Sequence, residues 1–328
     1  MKGNRGALRA AFANNQTEFT MALATVLMFA ALSVIAPMFA TARNMTNILS
    51  QVSYIAILSI GQSFVMLTGG IDLSVGSIVG VSSILLATVL KSSPDVTTGI
   101  VLGISVCLFT GIAVGFLNGV LVSIFDIPPF VVTLGMMQIC RSADYLICDG
   151  RSITKLGDAF KTLSGLELFT GFRGYYLLTI LLFILAGLTL SKTKIGRNLY
   201  AIGNNVVATR LAGVNVTFYR AVPYVISGFL CGLCGAIMSS RFGAVDPNYG
   251  SGYEMSTLAA AVIGGISMAG GKGTIVVTAI GVIFMGILQN GLDVVGISPY
   301  WQNAAVGSVI IVVLLFERLS HRGKGKAN

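Results

Sequence analysis

The sequence predicts an all-α, polytopic integral membrane protein with about ten transmembrane helices and both termini in the cytoplasm. Three observations carry that expectation. Of 328 residues, 55% are hydrophobic and only 10% are charged, whereas about a quarter of a soluble domain is charged. The mean hydropathy is +0.86. The few charges fall between uncharged runs, most of them close to the roughly 20 apolar residues that a spanning helix needs. An ordinary cytosolic enzyme and a disordered chain are both excluded.

The uncharged runs, in order, are 19–42, 44–71, 73–90, 96–125, 174–191, 221–240, 255–271, 273–292 and 294–316. A tenth candidate covers 127–148 and is interrupted by Arg141 and Asp144. At i, i+3 these two can pair on one helix face, which makes the interruption tolerable in a membrane. The basic start MKGNRGALR is followed by no small-residue cleavage site, so the first run reads as a retained helix. The two runs flanking Asp72 leave an alternative open, a re-entrant pair and eight crossings. No loop is large enough for a second domain, so residues 1–328 read as one transmembrane domain with the 192–220 segment inside it.

The net charge of +9 reads as topology rather than as affinity for nucleic acid, because basic residues gather in particular loops. Segment 192–220 carries Lys192, Lys194, Arg197, Arg210 and Arg220 and no acid, which marks it as cytoplasmic. Segment 149–173 mixes Arg151, Lys155, Lys161 and Arg173 with three acids and reads as external. Lys2, Arg5, Arg9, Lys272, Arg318, Arg322, Lys324 and Lys326 then fall inside, and Arg43, Lys91 and Arg241 outside. The 192–220 segment is too long for a simple connection, and its pattern suits short helices on the cytoplasmic surface. Its charge suits lipid head groups or a soluble partner.

Lipid supplies no hydrophobic drive between helices, so close backbone approach must hold them. Gly111, Gly115 and Gly119 recur at every fourth position, and Gly228, Gly232 and Gly235 make a similar stripe. They suit helix packing, or sliding during a transport cycle. There is also a weak internal echo. TGGIDLSVGS (68–77) resembles IGGISMAGGKG (263–273), and Asn118-Gly119 resembles Asn290-Gly291. Paired glycine-broken helices in two halves point to a transporter pathway.

Several chemistries are excluded. GGKG (270–273) lacks the first glycine of a phosphate loop, Ile266 standing there, and Gly273 replaces the Ser/Thr that would hold Mg²⁺. The single histidine, His321, lies in the C-terminal tail, which rules out a His-based triad or metal site inside the membrane. The C-x-x-C of Cys231 and Cys234 lies in the middle of an apolar run and reads as packing rather than redox or metal chemistry. Two acids stand out as pathway or gating candidates. Asp72, with Ser74, follows Gly69-Gly70 and either caps the next helix or meets substrate. Glu254 follows Tyr253 just before a predicted span, where a carboxylate suits a helix start. Chains of deep acids, which a proton- or sodium-driven carrier needs, are missing.

Five ordered motifs carry a resemblance. GIDLSVGS (70–77), NGVLVSIFDIPPFVVTLGMM (118–137), IGRNLYAIGNNVVATRLAGVNV (195–216), GYEMSTLAAAVIGGISMAGGKGT (252–274) and NGLDVVGISPYWQ (290–302) make the chain, from about 44 to 317, similar to permease subunits of bacterial monosaccharide ABC importers of the ribose, allose, galactose and xylose type. It departs from them at Ser256, where Asp is more frequent, and at Asn205, where Gly is. The resemblance implies a multi-pass subunit of the bacterial inner membrane, without its own ATPase site, that passes a ribose- or allose-like monosaccharide. It implies a second copy of the chain, two cytoplasmic ABC ATPase subunits that hold the ATP and Mg, and a periplasmic sugar-binding protein. No cofactor is bound by this chain, and nucleic acid is no partner. It assigns ATPase coupling to Gly196, Arg197, Gly203, Arg210, Leu211 and Gly213. The alternative is a stand-alone secondary sugar transporter or facilitator.

Overall fold

Residues 16–324 are described by a computed structural model of the chain. Lys2, Arg5, Arg9 and Lys326 lie outside the described residues, as do the side chains of Arg318, His321, Arg322 and Lys324. The apolar runs become helices α1 (Gln16–Ile35), α2 (Ala42–Leu67), α3 (Val75–Ser92), α4 (Val96–Ser123) and α5 (Pro129–Ile147). Strand β1 (Ile153–Thr154), helix α6 (Asp158–Gly165) and the hairpin β2 (Glu167–Phe169) and β3 (Phe172–Arg173) follow. The rest is α7 (Gly174–Lys192), α8 (Lys194–Asn204), α9 (Val206–Leu211), α10 (Val216–Phe242), β4 (Ala244–Val245), α11 (Tyr253–Ile263), α12 (Ile275–Val295) and α13 (Pro299–Lys324). The all-α expectation therefore holds for the architecture, with two short antiparallel pairs, β1–β4 and β2–β3, added in the connections.

Local chemistry sets the helix ends. Asp95 caps α4 by accepting the Thr98 N–H at 2.9 Å, and Asn215 caps α10 by accepting that of Phe218 at 3.0 Å. Gly243 and Gly296 close α10 and α12 in the left-handed conformation, where a side chain is strained. Among the described residues six helices are long and apolar enough to cross a membrane: α2, α3, α4, α7, α10 and α12. The run 255–271 is not one continuous helix. Its helix stops at Ile263, and eleven residues rise only about 16 Å, half of a hydrocarbon core. It stops because Gly265, Gly270, Gly271 and Gly273 all take positive φ, which a helix does not accommodate.

α4 and α10 run antiparallel at the centre of the bundle, with α2 and α3 alongside. Gly111 and Gly115 of α4 lie against Gly228 and Gly232 of α10. A Cβ on Gly228 would stand 3.0 Å from the Gly115 Cα and closer still to the Gly111 carbonyl. Gly235 continues the stripe onto α3, against the Val79 carbonyl and Ser83 Oγ. The glycines therefore bring backbones into contact, as the spacing predicts. Gly228→Ala is expected to destabilise the fold by about 1–3 kcal/mol, since neither facing backbone can yield. Gly307→Ala, with open space at its Cβ, is the control. Thermal unfolding in detergent separates them, and equal midpoints would contradict the packing argument.

The 192–220 segment marks one end of the bundle, hereafter the basic end. α2 and α4 run towards it and α10 runs away. Two stretches of irregular backbone enter the bundle. Residues 68–74 climb from the basic end before α3 begins, and 246–252 turn inwards from the opposite end before α11 begins. They lead to Gly76 and Gly250, which face each other with no room for a Cβ on either.

Candidate functional site

The basic end is built from α8 and α9. Thr193 caps α8 by accepting the Gly196 N–H at 3.4 Å, and Asn205 caps α9 by accepting that of Ala208 at 2.9 Å. Asn205, the departure from the usual glycine, thus fills a helix-start role that asparagine suits. Gly196 packs on the Leu190 backbone, where α7 ends. Gly203 packs on the Leu67 carbonyl and the Gly271 amide, leaving no space for a side chain. Tyr200 Oη donates to the Gly273 carbonyl at 2.8 Å, and the Gly271 N–H donates to the Leu67 carbonyl at 2.9 Å. Gly270 also lies against Gly69, so the two echoing segments, 68–77 and 263–273, meet, and α8 touches the second directly and the first at its edge, through Leu67. The second half of the echo parts company: Asn118 bonds to the first segment, while Asn290 pairs with Asn44 at the opposite end.

On the outer side of this platform Arg197, Arg210, Leu211 and Gly213 are exposed. Gly213 has a φ of 80°. Val207 is 68% and Leu211 85% exposed, so a short basic helix presents bare apolar side chains away from the bundle. Arg220 is tied down instead, donating to Asp126 Oδ1 at 2.7 Å across to the α4–α5 turn. That hydrogen bond and the guanidinium charge hold the Asp126 carboxyl below its ordinary value.

Asp72 lies in the break between α2 and α3 and is completely buried. Its Oδ1 accepts the Ser74 N–H at 3.0 Å and the Ser74 hydroxyl at 2.6 Å, and its Oδ2 accepts the Ser227 hydroxyl of α10 at 2.8 Å. Asn118 of α4 donates to Ser74 Oγ at 2.9 Å. One carboxylate thus joins the broken segment to both central helices, and Ser74 is its bridge. Arg141 and Asp144 pair at 3.3 Å as the spacing predicts. Arg141 also donates to the carbonyls of Pro247 and Tyr249, at 3.1 and 3.0 Å, and so anchors the inward-turning loop. Beneath that loop Glu254 Oε1 accepts the Gly252 N–H at 3.2 Å, while its buried Oε2 has no partner among the described residues. Ser256, two residues on, accepts from Gln289 and donates to the Gly252 carbonyl.

A polar cleft of about 330 Å³ opens at the opposite end between α2, α10 and α12, with Tyr253 in its wall. Asn44 and Asn290 exchange amide hydrogen bonds of 2.8 and 3.2 Å. Arg241 donates to Tyr54 Oη at 3.1 Å and Asn47 Oδ1 at 3.0 Å. Asp293 accepts from Gln51 and Gln302. Of the cleft's lining only Tyr253 is a sequence-predicted site residue. The signal was there: Asn44, Asn47, Gln51 and Tyr54 stand at helical spacing on an apolar helix. Except for Gln51 Oε1, which has no partner among the described residues, they satisfy one another and clasp this end of the bundle.

Comparison with known proteins follows the same outline. The chain is 37% identical over 293 residues to the ribose import permease protein RbsC of Bacillus subtilis, covering 87% of this chain and 88% of that one. It is 34% identical to the RbsC of Escherichia coli K12, covering 90% and 92%. It is 33% identical to the autoinducer 2 import system permease protein LsrC of Photorhabdus luminescens, covering 92% and 90%. No solved structure matches the chain. The model of the family described as "Branched-chain amino acid transport system / permease component" matches residues 44–314, and the chain belongs to that permease family.

Proposed function

We propose that this chain is the membrane-spanning permease subunit of an ABC importer that admits a monosaccharide, ribose- or allose-like, delivered by a periplasmic binding protein. It is a multi-pass protein of the inner membrane. Ten crossings, with the basic end in the cytoplasm, accommodate α1–α5, α7 and α10–α13, α11 crossing with its flanking irregular backbone. Two copies enclose the pathway and two ATPase subunits dock below, supplying the ATP and Mg that this chain does not hold. The carrying observation is the exposed α8–α9 platform, basic and apolar at once, wired through Gly203 and Tyr200 to both breaks in the bundle. ATPase closure pushes α8, and α8 moves 68–77 and 263–273 together. Asp72 and Ser74 keep the first break attached to α4 and α10 as it moves. Tyr253 and Glu254 open α11, where the inward-turning loop 246–252 ends, and act as its gate.

The test is purification from native membranes. An ATPase is expected to co-elute, and sugar-loaded binding protein is expected to stimulate its hydrolysis. Sugar flux in liposomes holding this chain alone would overturn the reading. The family description favours a second cargo, a branched-chain amino acid, and Arg241 and Asp293 are charges of both signs at the cleft. Both are already hydrogen-bonded within the chain, and the relatives named above carry ribose or autoinducer 2 by their names, so a sugar is the better match. Uptake competition between ribose, allose and leucine decides it.

A further inference from the structure

α5 has a face that the proposed function has not used. It is nineteen residues long, yet it is not among the six helices apolar enough to cross a membrane. Its polarity lies partly on the open side. Gln138, Ser142 and Tyr145 are all exposed and recur at i, i+4 and i+7, which places them on one stripe. Gln138 stands at mid-length, and Gly135, with open space at its Cβ, continues the stripe. Among the described residues neither the Gln138 amide nor the Ser142 hydroxyl has a hydrogen-bond partner, whereas the groups of the polar cleft are largely paired with one another. Exposed Ile139 and Leu146 flank the stripe.

The stripe adjoins the inward-turning loop. Tyr145 Oη donates to Asn248 Oδ1 at 2.9 Å, and Arg141 holds the carbonyls of Pro247 and Tyr249. Non-helical backbone within a membrane is tolerated only where protein buries it or where it borders water. A free amide in mid-helix is equally costly against lipid. Protein buries Pro247 and Gly250 of the loop, while Asn248 is exposed beside the stripe, so Asn248 and the stripe call for water on the same side of the molecule.

We infer that Gln138, Ser142 and Tyr145, continued by Asn248, form this protomer's wall of the aqueous translocation pathway, and that Gln138 is the side chain that meets the hydroxyls of the passing solute. An amide both donates and accepts, so it suits a polyol, and a single unpaired amide gives the weak binding that passage needs. This deepens the sugar-permease reading and rests on it. The second copy supplies the facing wall.

The experiment places single cysteines at Gln138 and Ser142, with Leu185→Cys on exposed α7 and Ile139→Cys on the flank as references and the unaltered chain as baseline. A charged, membrane-impermeant methanethiosulfonate is applied to the assembled transporter. Gln138→Cys and Ser142→Cys are expected to react about tenfold faster than the references, as water-facing thiols against lipid-facing ones, and labelling is expected to block uptake. Equal rates at Gln138→Cys and Leu185→Cys, or at Gln138→Cys and Ile139→Cys, would overturn the assignment. Gln138→Leu is expected to lose uptake while still co-purifying with the ATPase, and Gln138→Asn to retain it. Wild-type uptake by Gln138→Leu would also overturn it. If labelling blocks the uptake of an amino acid and no sugar is carried, the pathway wall stands and the sugar reading fails.

Discussion

Arg210→Glu is expected to abolish uptake while leaving the permease inserted and folded. Arg210 is exposed on α9 and, with Arg197 on α8, forms no ion pair within the chain among the described residues. Losing an exposed charge costs a fold less than about 1 kcal/mol. At an interface the balance differs. A basic side chain paired with an acidic partner and shielded from water contributes about 2–5 kcal/mol when one member is removed, and a reversed charge adds repulsion. That is a loss of roughly tens to thousands of fold in affinity for the ATPase. Leu211→Asp attacks the apolar half of the same surface and is expected to act in the same direction. Arg197→Glu should follow Arg210→Glu, because α8 carries the push inwards. The measurements are ATPase co-purification, sugar uptake by cells and thermal unfolding. Full uptake by Arg210→Glu would remove α9 from the coupling surface.

Much of this arrangement is legible from the chain alone, for reasons that also explain what is not. Each long apolar run became a helix because backbone groups in lipid must bond within their own segment. The 192–220 segment became two short helices because Thr193 and Asn205 are capping residues at the right places. Hydropathy missed the end of α11 because glycine is nearly neutral on such a scale. The break at Gly264–Gly265 is conformational, and only the clustering of glycines signals it. The partners of Asp72 were beyond reach for a different reason. Ser227 is distant in sequence and its role appears only when α10 packs on the break. Likewise Arg241 reads as an external basic residue until α2 brings Tyr54 and Asn47 beneath it. Pairings between distant polar residues are set by tertiary packing, and one sequence carries no trace of them.

Asp72→Ala is expected to be among the most damaging single changes in the molecule, and Asp72→Asn to be mild. Alanine leaves the Ser74 N–H, the Ser74 hydroxyl and the Ser227 hydroxyl without their acceptor in a site sealed from water. Each unsatisfied buried group costs about 1–3 kcal/mol, so the total approaches the whole stability of an ordinary domain, about 5–15 kcal/mol. Asparagine keeps one carbonyl acceptor of the same shape, and the Ser227 hydroxyl can turn to accept from the new amide. The pair of variants separates shape from charge. If the carboxylate serves to hold the break against α4 and α10, Asp72→Asn should unfold close to wild type and transport sugar, while Asp72→Ala should express poorly or melt well below it. A stable Asp72→Asn that does not transport would instead give the negative charge a part in the cycle. An Asp72→Ala protein as stable as wild type would show that the buried bonds do not clamp the break, and the route from α8 through 68–77 into the centre of the bundle would lose its anchor.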